Sequence, residues 1–208
     1  KKVKAVRIVC RDTEMITKYA ESMARINGVK DHVEDDLRPS FRYIVDNDLR
    51  PCGWHLVAVR ESLEQLDVHV DEVYEAVEAP TPIDRVGTPS LRVLAFSIVC
   101  FSERGAPKPS RNPIVIISTC ASGEKEKQFV ADDSNERKVI SNFVKYVEQY
   151  DPDVIVGYGS NKFDWPYLLE RSKLIGAKLT VDRANSGPHT SLYGHVSVTG
   201  RANFDLFD

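Results

Sequence analysis

Asp164 heads the run Trp165-Pro166-Tyr167-Leu168-Leu169 and so stands where a helix begins. A carboxylate there caps backbone N–H groups and complements the helix dipole, and it can also serve as a hard oxygen donor to a divalent cation. Ser97 and Val99 lie two apart in the apolar run Leu91–Cys100, which reads as a strand. Residues two apart on a strand share a face. The hydroxyl and the methyl-bearing side chain on this face are poor ligands for Mg²⁺, which needs charged or strongly polar oxygen donors. Arg42 and Tyr43 place a cation beside an aromatic ring; arginine can hold a phosphate and stack on a base. The other metal-binding types carry no signal. The five histidines (32, 55, 69, 189, 195) have no metal-ligand spacing. The four cysteines (10, 52, 100, 120) contain no C-x-x-C pair and read as reduced, buried thiols of an intracellular protein.

The chain that must position these residues has 208 residues, 42% of them hydrophobic and 28% charged, which excludes disordered, collagen-like and coiled-coil classes. With 28 Lys and Arg against 31 Asp and Glu, the formal charge is −3, so any contact with DNA needs a local basic patch. No apolar run approaches a membrane span, and no signal-peptide pattern opens the chain. Both ends read as cuts through a longer protein.

Val3–Cys10 alternates like a strand, and Asp12 or Thr13 caps a helix to about Asn27 with Gly28 as its stop. Val29–Glu34 reads as a returning strand, Pro39 opens a short helix, and Trp54–Val59 and Val68–Ala79 supply further strands. Pro80, Pro82, Gly87 and Pro89 crowd a break that we take as the boundary between domains at 81–90. Leu91–Cys100 is apolar on both faces, as a central strand is. A Pro/Gly/Ser-rich loop over 103–113 leads to a strand at Ile114–Thr119, and Gln128–Val130 is short and strand-like. Asn135–Tyr150 has helical periodicity and ends at Asp151-Pro152; Val154–Gly157 is a buried strand, and the helix containing Pro166 ends at Gly176. A hairpin is expected around Gly194. The pattern predicts α/β layering around a mixed sheet.

Leu91–Cys100 and Val154–Arg171 resemble the exonuclease domain of archaeal family B DNA polymerases, as do Asp151-Pro152-Asp153, Gly200-Arg201 and Phe204-Asp205-Leu206. Arg42-Tyr43-Ile44-Val45-Asp46 and Pro51-Cys52-Gly53-Trp54 resemble the end of that family's N-terminal domain. The resemblance implies a ribonuclease-H-like mixed-sheet exonuclease domain over 91–208, truncated before its third motif. A smaller, truncated α+β N-terminal domain over 1–80 and a linker over 81–90 would precede it. It further implies a longer archaeal DNA polymerase, a nucleotidyltransferase of replication or repair, whose palm requires Mg²⁺ and lies outside this chain. Its partners would be primer-template or single-stranded DNA and the remaining polymerase domains, with no membrane. Its location would be cytoplasmic, at the nucleoid.

The departures from the family pattern bear most on function. The first family motif, Asp-Ile-Glu, aims two carboxylates into one pocket, where they hold the divalent ions that generate hydroxide. This chain has Ser97-Ile98-Val99 there. The second motif, Asn-x-x-x-Phe-Asp, keeps Asp164 but has Gly159 at the asparagine; Asn161 lies at a different offset. The third, Tyr-x-x-x-Asp, would fall beyond Asp208. Three unlike replacements resemble natural decay, as in those members of the family whose exonuclease motifs are disrupted. The expectation is therefore no catalytic residue, no metal ligand set, and a degenerate site at Ser97, Val99, Gly159 and Asp164. By family analogy Tyr158, Phe163 and Trp165 lie near the cleft as stacking surfaces, and Arg42, with Tyr43 beside it as a nucleic-acid contact, matches an arginine that lines a pocket inspecting template bases; an arginine on a helix surface near acidic residues is the equal alternative. For Phe163, burial in the helix–sheet core is the favoured reading, and for Asp164 it is helix capping. The alternatives are an exonuclease using unorthodox ligands and a regulatory module that does not touch DNA.

Overall fold

A computed structural model describes residues 4–132, 135–191 and 194–207. The chain divides into two units, Lys1–Ser62 with Tyr74–Gly87, and Leu63–Val73 with Thr88–Asp208.

In the first unit, Asp12 caps a 3₁₀ turn (Thr13–Met15) by accepting from the Glu14 N–H, and α1 (Ile16–Ala24) follows. Pro39 occupies the first turn of α2 (Pro39–Asp46), where its missing N–H costs nothing. Short ribbons complete the unit: β1 (His55–Leu56) pairs with β4 (Thr81–Pro82), and β2 (Val59–Glu61) with β3 (Tyr74–Ala76). The expected strands at Val3–Cys10 and Val29–Glu34 do not form among the described residues. Val6, Ile8, Val9 and Val33 stay exposed, and alternation makes a strand only where one face is buried against a partner.

The domain boundaries differ from the expected 1–80, 81–90 and 91–208. The β2–β3 pairing brings the chain back at Tyr74, so 63–73 loops out and groups with the second unit. There the His69 N–H donates to the Arg183 carbonyl (2.6 Å). The start of the supposed linker is strand β4, which belongs to the first unit.

The second unit is built on a five-stranded mixed sheet in the order β11-β8-β5-β6-β7. β5 (Val93–Cys100), β6 (Ile114–Ala121) and β7 (Lys127–Val130) are antiparallel neighbours; β8 (Val154–Gly157) and β11 (Ala202–Asp205) run parallel to β5. This is the mixed α/β architecture expected, with Leu91–Cys100 contributing the central strand. Helix α3 (Glu136–Tyr150) is capped by Asn135 and buries Val139, Ile140, Phe143 and Val147. It ends at Asp151, whose positive φ of 49° turns the chain before Pro152 stops any further helix. Helix α4 (Asp164–Ile175) ends at Gly176 in the left-handed conformation. The expected hairpin is β9 (His189–Thr190) with β10 (Val196–Ser197); Leu192 and Tyr193 lie outside the described residues. Leu94, Phe96 and Ile98 of β5, Ile117 of β6, Ile155 of β8 and Trp165 of α4 meet in one core. Among the described residues no helix is long and apolar enough to cross a membrane.

Candidate nucleic-acid cleft

β8 pairs with β5 only as far as Ala95 and then ends at Gly157, which leaves the later part of β5 without a neighbour on that edge. Asp164, the first residue of α4, takes the vacated hydrogen bond: its Oδ1 accepts from the Ile98 N–H at 2.9 Å. This corrects the hydrogen-bond part of the capping reading, since no side-chain cap bond forms at the start of α4, while Asp164 does stand as the acidic residue of the helix's first turn. Burial pushes the Asp164 carboxyl above the usual carboxylate range and the nearby Asp205 charge adds to the rise, while the Ile98 N–H opposes it.

β5 alternates as a strand should. Phe96 and Ile98 enter the core, while Ser97 and Val99 share the opposite, exposed face, with Val99 48% exposed.

The turn from β8 to α4 depends on two glycines. A Cβ on Gly157 would lie 2.4 Å from the Ser160 Cβ, so the tight approach there admits no side chain. Gly159 has φ +69°, but a Cβ there would meet nothing within 4 Å. Its N–H and that of Asn161 donate to the two oxygens of Asp205, at 2.6 and 2.8 Å, and the Phe207 N–H adds a third bond at 3.1 Å. Burial alone would raise the Asp205 pKa; the three amides and Lys162 lower it instead. Asp205 is the structural residue that sequence reasoning passed over. It was visible only as part of Phe204-Asp205-Leu206, because a contact to backbone 44 and 46 residues away leaves no spacing signal.

Asn161 cannot stand in for an amide at Gly159. Its Oδ1 accepts from the Val196 N–H (3.1 Å) and from Asn203 Nδ2 (3.2 Å), which ties the side chain to β10 and β11.

The aromatic residues separate. Tyr158 is 72% exposed, with its ring edge-on to Phe207 at 5.4 Å, and Lys162 Nζ lies 4.9 Å from the centre of the Phe207 ring. Phe163 is 42% exposed and packs on Tyr167, which corrects the expectation of core burial. Trp165 is completely buried, edge-on to Phe96 at 4.7 Å, and donates through Nε1 to Asn203 Oδ1. It therefore cannot stack on a base, because the α4–sheet interface already encloses its ring.

Arg42 and Tyr43 lie on α2 in the other unit. Arg42 pairs with Asp46 (2.8 Å) and with Glu34, so two carboxylates already hold its guanidinium; Tyr43 is exposed. The cysteines are free, but Cys52 and Cys120 are exposed and Cys10 and Cys100 only partly covered, so the expected burial fails. On β6, Cys120 falls at an outward position of the alternation.

The donor set does not suit the divalent ions that an exonuclease cleft implies. Of the two nearest carboxylates, Asp164 binds Ile98 and Asp205 binds three amides. Among the described residues, no three His, Cys, Asp or Glu side chains are grouped to hold a metal. The exposed face of β5 offers the Ser97 hydroxyl and the Val99 isopropyl group, and the turn between β8 and α4 carries the exposed rings of Tyr158 and Phe163.

A family model described as "DNA polymerase family B, exonuclease domain" matches residues 30–208. "DNA polymerase 2" of Aeropyrum pernix is 38% identical over 212 residues, a match covering 100% of this chain and 26% of that protein. "DNA polymerase" of Archaeoglobus fulgidus is 34% identical over 205 residues, covering 95% of this chain and 25% of its own. The solved structure of the family B DNA polymerase from Pyrobaculum calidifontis superposes with a TM-score of 0.82 at 44% identity, over 94% of this chain and 25% of that one. The chain thus spans about a quarter of the length of these relatives.

Proposed function

Since the chain belongs to the exonuclease-domain family of the family B DNA polymerases, we propose that it holds single-stranded DNA in a cleft that no longer hydrolyses it, as one part of a DNA polymerase. The observation that carries this reading is the shared exposed face of Ser97 and Val99 beside an Asp164 that is bonded to Ile98. Metal-assisted hydrolysis needs carboxylates to hold the ions and lower the pKa of the attacking water. A hydroxyl and an isopropyl group supply neither.

Losing two carboxylates also removes like-charge repulsion toward a phosphodiester backbone. Tyr158, Phe163 and Phe207 present ring surface at the cleft edge, and base–aromatic stacking is worth about 1–3 kcal/mol per base. Polymerisation, with its Mg²⁺ and its primer-template, belongs to the rest of the polymerase in this proposal. The site of action is then the DNA of the cell interior.

The test incubates the purified chain with a 5′-labelled single strand in Mg²⁺ or Mn²⁺ and resolves the products on a denaturing gel, with anisotropy at low salt to measure binding. Bound but unshortened DNA is the expected result. Mg²⁺-dependent 3′ trimming, or no binding, would overturn the proposal.

A further inference from the structure

The loop that follows β5 carries Arg104, Lys108 and Arg111 around a cavity of about 440 Å³, together with Glu103, Ser102 and Asn112. Elsewhere in the second unit the arginines are engaged. Arg92, Arg183 and Arg201 hold Asp151, Arg171 pairs with Glu136, and Arg137 donates to the Ile175 carbonyl. Arg104 and Arg111 are the exceptions: among the described residues neither they nor Lys108 form an ion pair. Three unpaired cations against Glu103 make a local positive patch in a chain whose formal charge is −3.

The loop is braced. Its ends close through the Phe101 N–H to the Pro113 carbonyl (3.0 Å), and an inner turn closes through the N–H groups of Arg111 and Asn112 to the Lys108 carbonyl. Helix α4 grips it from outside: the Tyr167 hydroxyl donates to the Asn112 carbonyl (2.9 Å) and Arg171 to the Pro109 carbonyl (3.0 Å). The same helix begins with Asp164, and β5 runs from Ser97 and Val99 directly into the loop. The cationic cavity and the cleft are therefore carried by the same two elements.

We propose that this cavity is a phosphate subsite for the backbone of a single-stranded nucleic acid, which it holds by charge without a divalent ion. The inference rests on the reading of the cleft as a single-strand contact and adds where the phosphates go. Guanidinium groups match phosphate oxygens in pairs, and a braced loop loses little freedom on binding.

The experiment titrates the whole chain with labelled oligothymidylate in EDTA across a range of salt. It compares the Arg104→Gln/Lys108→Gln/Arg111→Gln variant with a control, Lys125→Gln/Lys145→Gln/Lys178→Gln, which removes three exposed cations elsewhere. Each phosphate contact contributes about 0.7 to the slope of log affinity against log salt for a single strand. The loop variant is expected to lose about 2 from that slope, and the control much less. Arg104→Gln alone, expected to lose about 0.7, keeps the test open if the triple variant fails to fold. An unchanged slope in a folded loop variant overturns the subsite while leaving the single-strand reading intact, whereas no binding by the parent chain overturns both. Saturable binding of inorganic phosphate that the loop variant abolishes while oligothymidylate binding persists would reassign the cavity to a free anion and overturn the nucleic-acid assignment.

Discussion

At the end of the sheet where β5 and β8 begin, Asp151 is held by charge, and Asp153 by charge together with the Arg92 N–H at 2.9 Å. Arg92, Arg183 and Arg201 all reach Asp151, at 2.6, 3.0 and 2.7 Å, and Arg183 also reaches Asp153 at 3.0 Å. At the end where the same strands finish, Asp164 and Asp205 accept from backbone N–H groups instead. The contrast shows that a buried carboxylate at this end has a structural role of its own. Asp164 completes the hydrogen bonding of a strand whose neighbour stops short, and that role needs an acceptor oxygen rather than a cation. The two ends also behave oppositely toward protons: burial raises Asp164, whereas Arg183 and Arg201 overcome burial and bring Asp151 down to about 2.

Removing a cation from the charged end should have the largest effect. Arg201 is buried and also donates to the carbonyls of Val181 (2.8 Å) and Pro152 (2.5 Å). Arg201→Ala is expected to cost about 3–5 kcal/mol in urea unfolding. A loss below about 1 kcal/mol would mean that Arg92 and Arg183 suffice, and that the charged end is redundant rather than cooperative.

Acid should distinguish the two ends next. Asp151 ionises more readily folded than unfolded, so its contribution is complete above about pH 4 and is lost as pH falls toward about 2. That limb is worth about 2 kcal/mol. Asp164 has the opposite sign: its carboxyl binds its proton more tightly when folded, so its contribution is present below the unfolded value and declines as pH rises through the folded one. Unfolding free energy measured from pH 2 to 6 should therefore rise less steeply in an Asp151→Asn variant. In an Asp164→Asn variant it should lose its downward component. Identical profiles for the two would remove the distinction.

At the amide-held end, Asp164→Ala leaves the Ile98 N–H without its partner and should cost about 1–3 kcal/mol. Asp164→Asn keeps an acceptor and should cost less. If thermal melts rank the two the other way, the acceptor role is wrong.

The smallest effect is expected at Gly159. Asparagine tolerates positive φ better than most residues and would meet no neighbour there, so Gly159→Asn should change stability by no more than about 1 kcal/mol. It should also leave labelled single strands uncut. Mg²⁺-dependent cleavage by this variant would show that the amide, not the carboxylates, was the missing part.

Much of the architecture could be read from residue types and spacing, because period and punctuation are local. The two-sided apolar run at Leu91–Cys100 belongs in the middle of a sheet, Asp151-Pro152 must end a helix, and Gly176 must close the next. The shared face of Ser97 and Val99 was legible for the same reason: they lie two apart, and a strand puts such residues side by side. The misreadings have a common cause. Among the described residues the run up to Cys10 leaves Val6, Ile8 and Val9 exposed with no strand beside it, Trp165 sits two residues from exposed Phe163 yet is enclosed by the sheet, and 63–73 groups with a unit that lies farther along the chain.

Residue types and periods, with a hydroxyl at 97 and an isopropyl group at 99, were determined by the sequence itself. Only the tertiary structure decided which atom each surviving polar group meets. Asp164 meets Ile98 across 66 residues, Asp205 meets Gly159 across 46, and Asn161 turns to Val196 across 35. Such partners are chosen by where strands stop and which backbone N–H groups they leave unpaired, and sequence spacing along one segment carries no record of that.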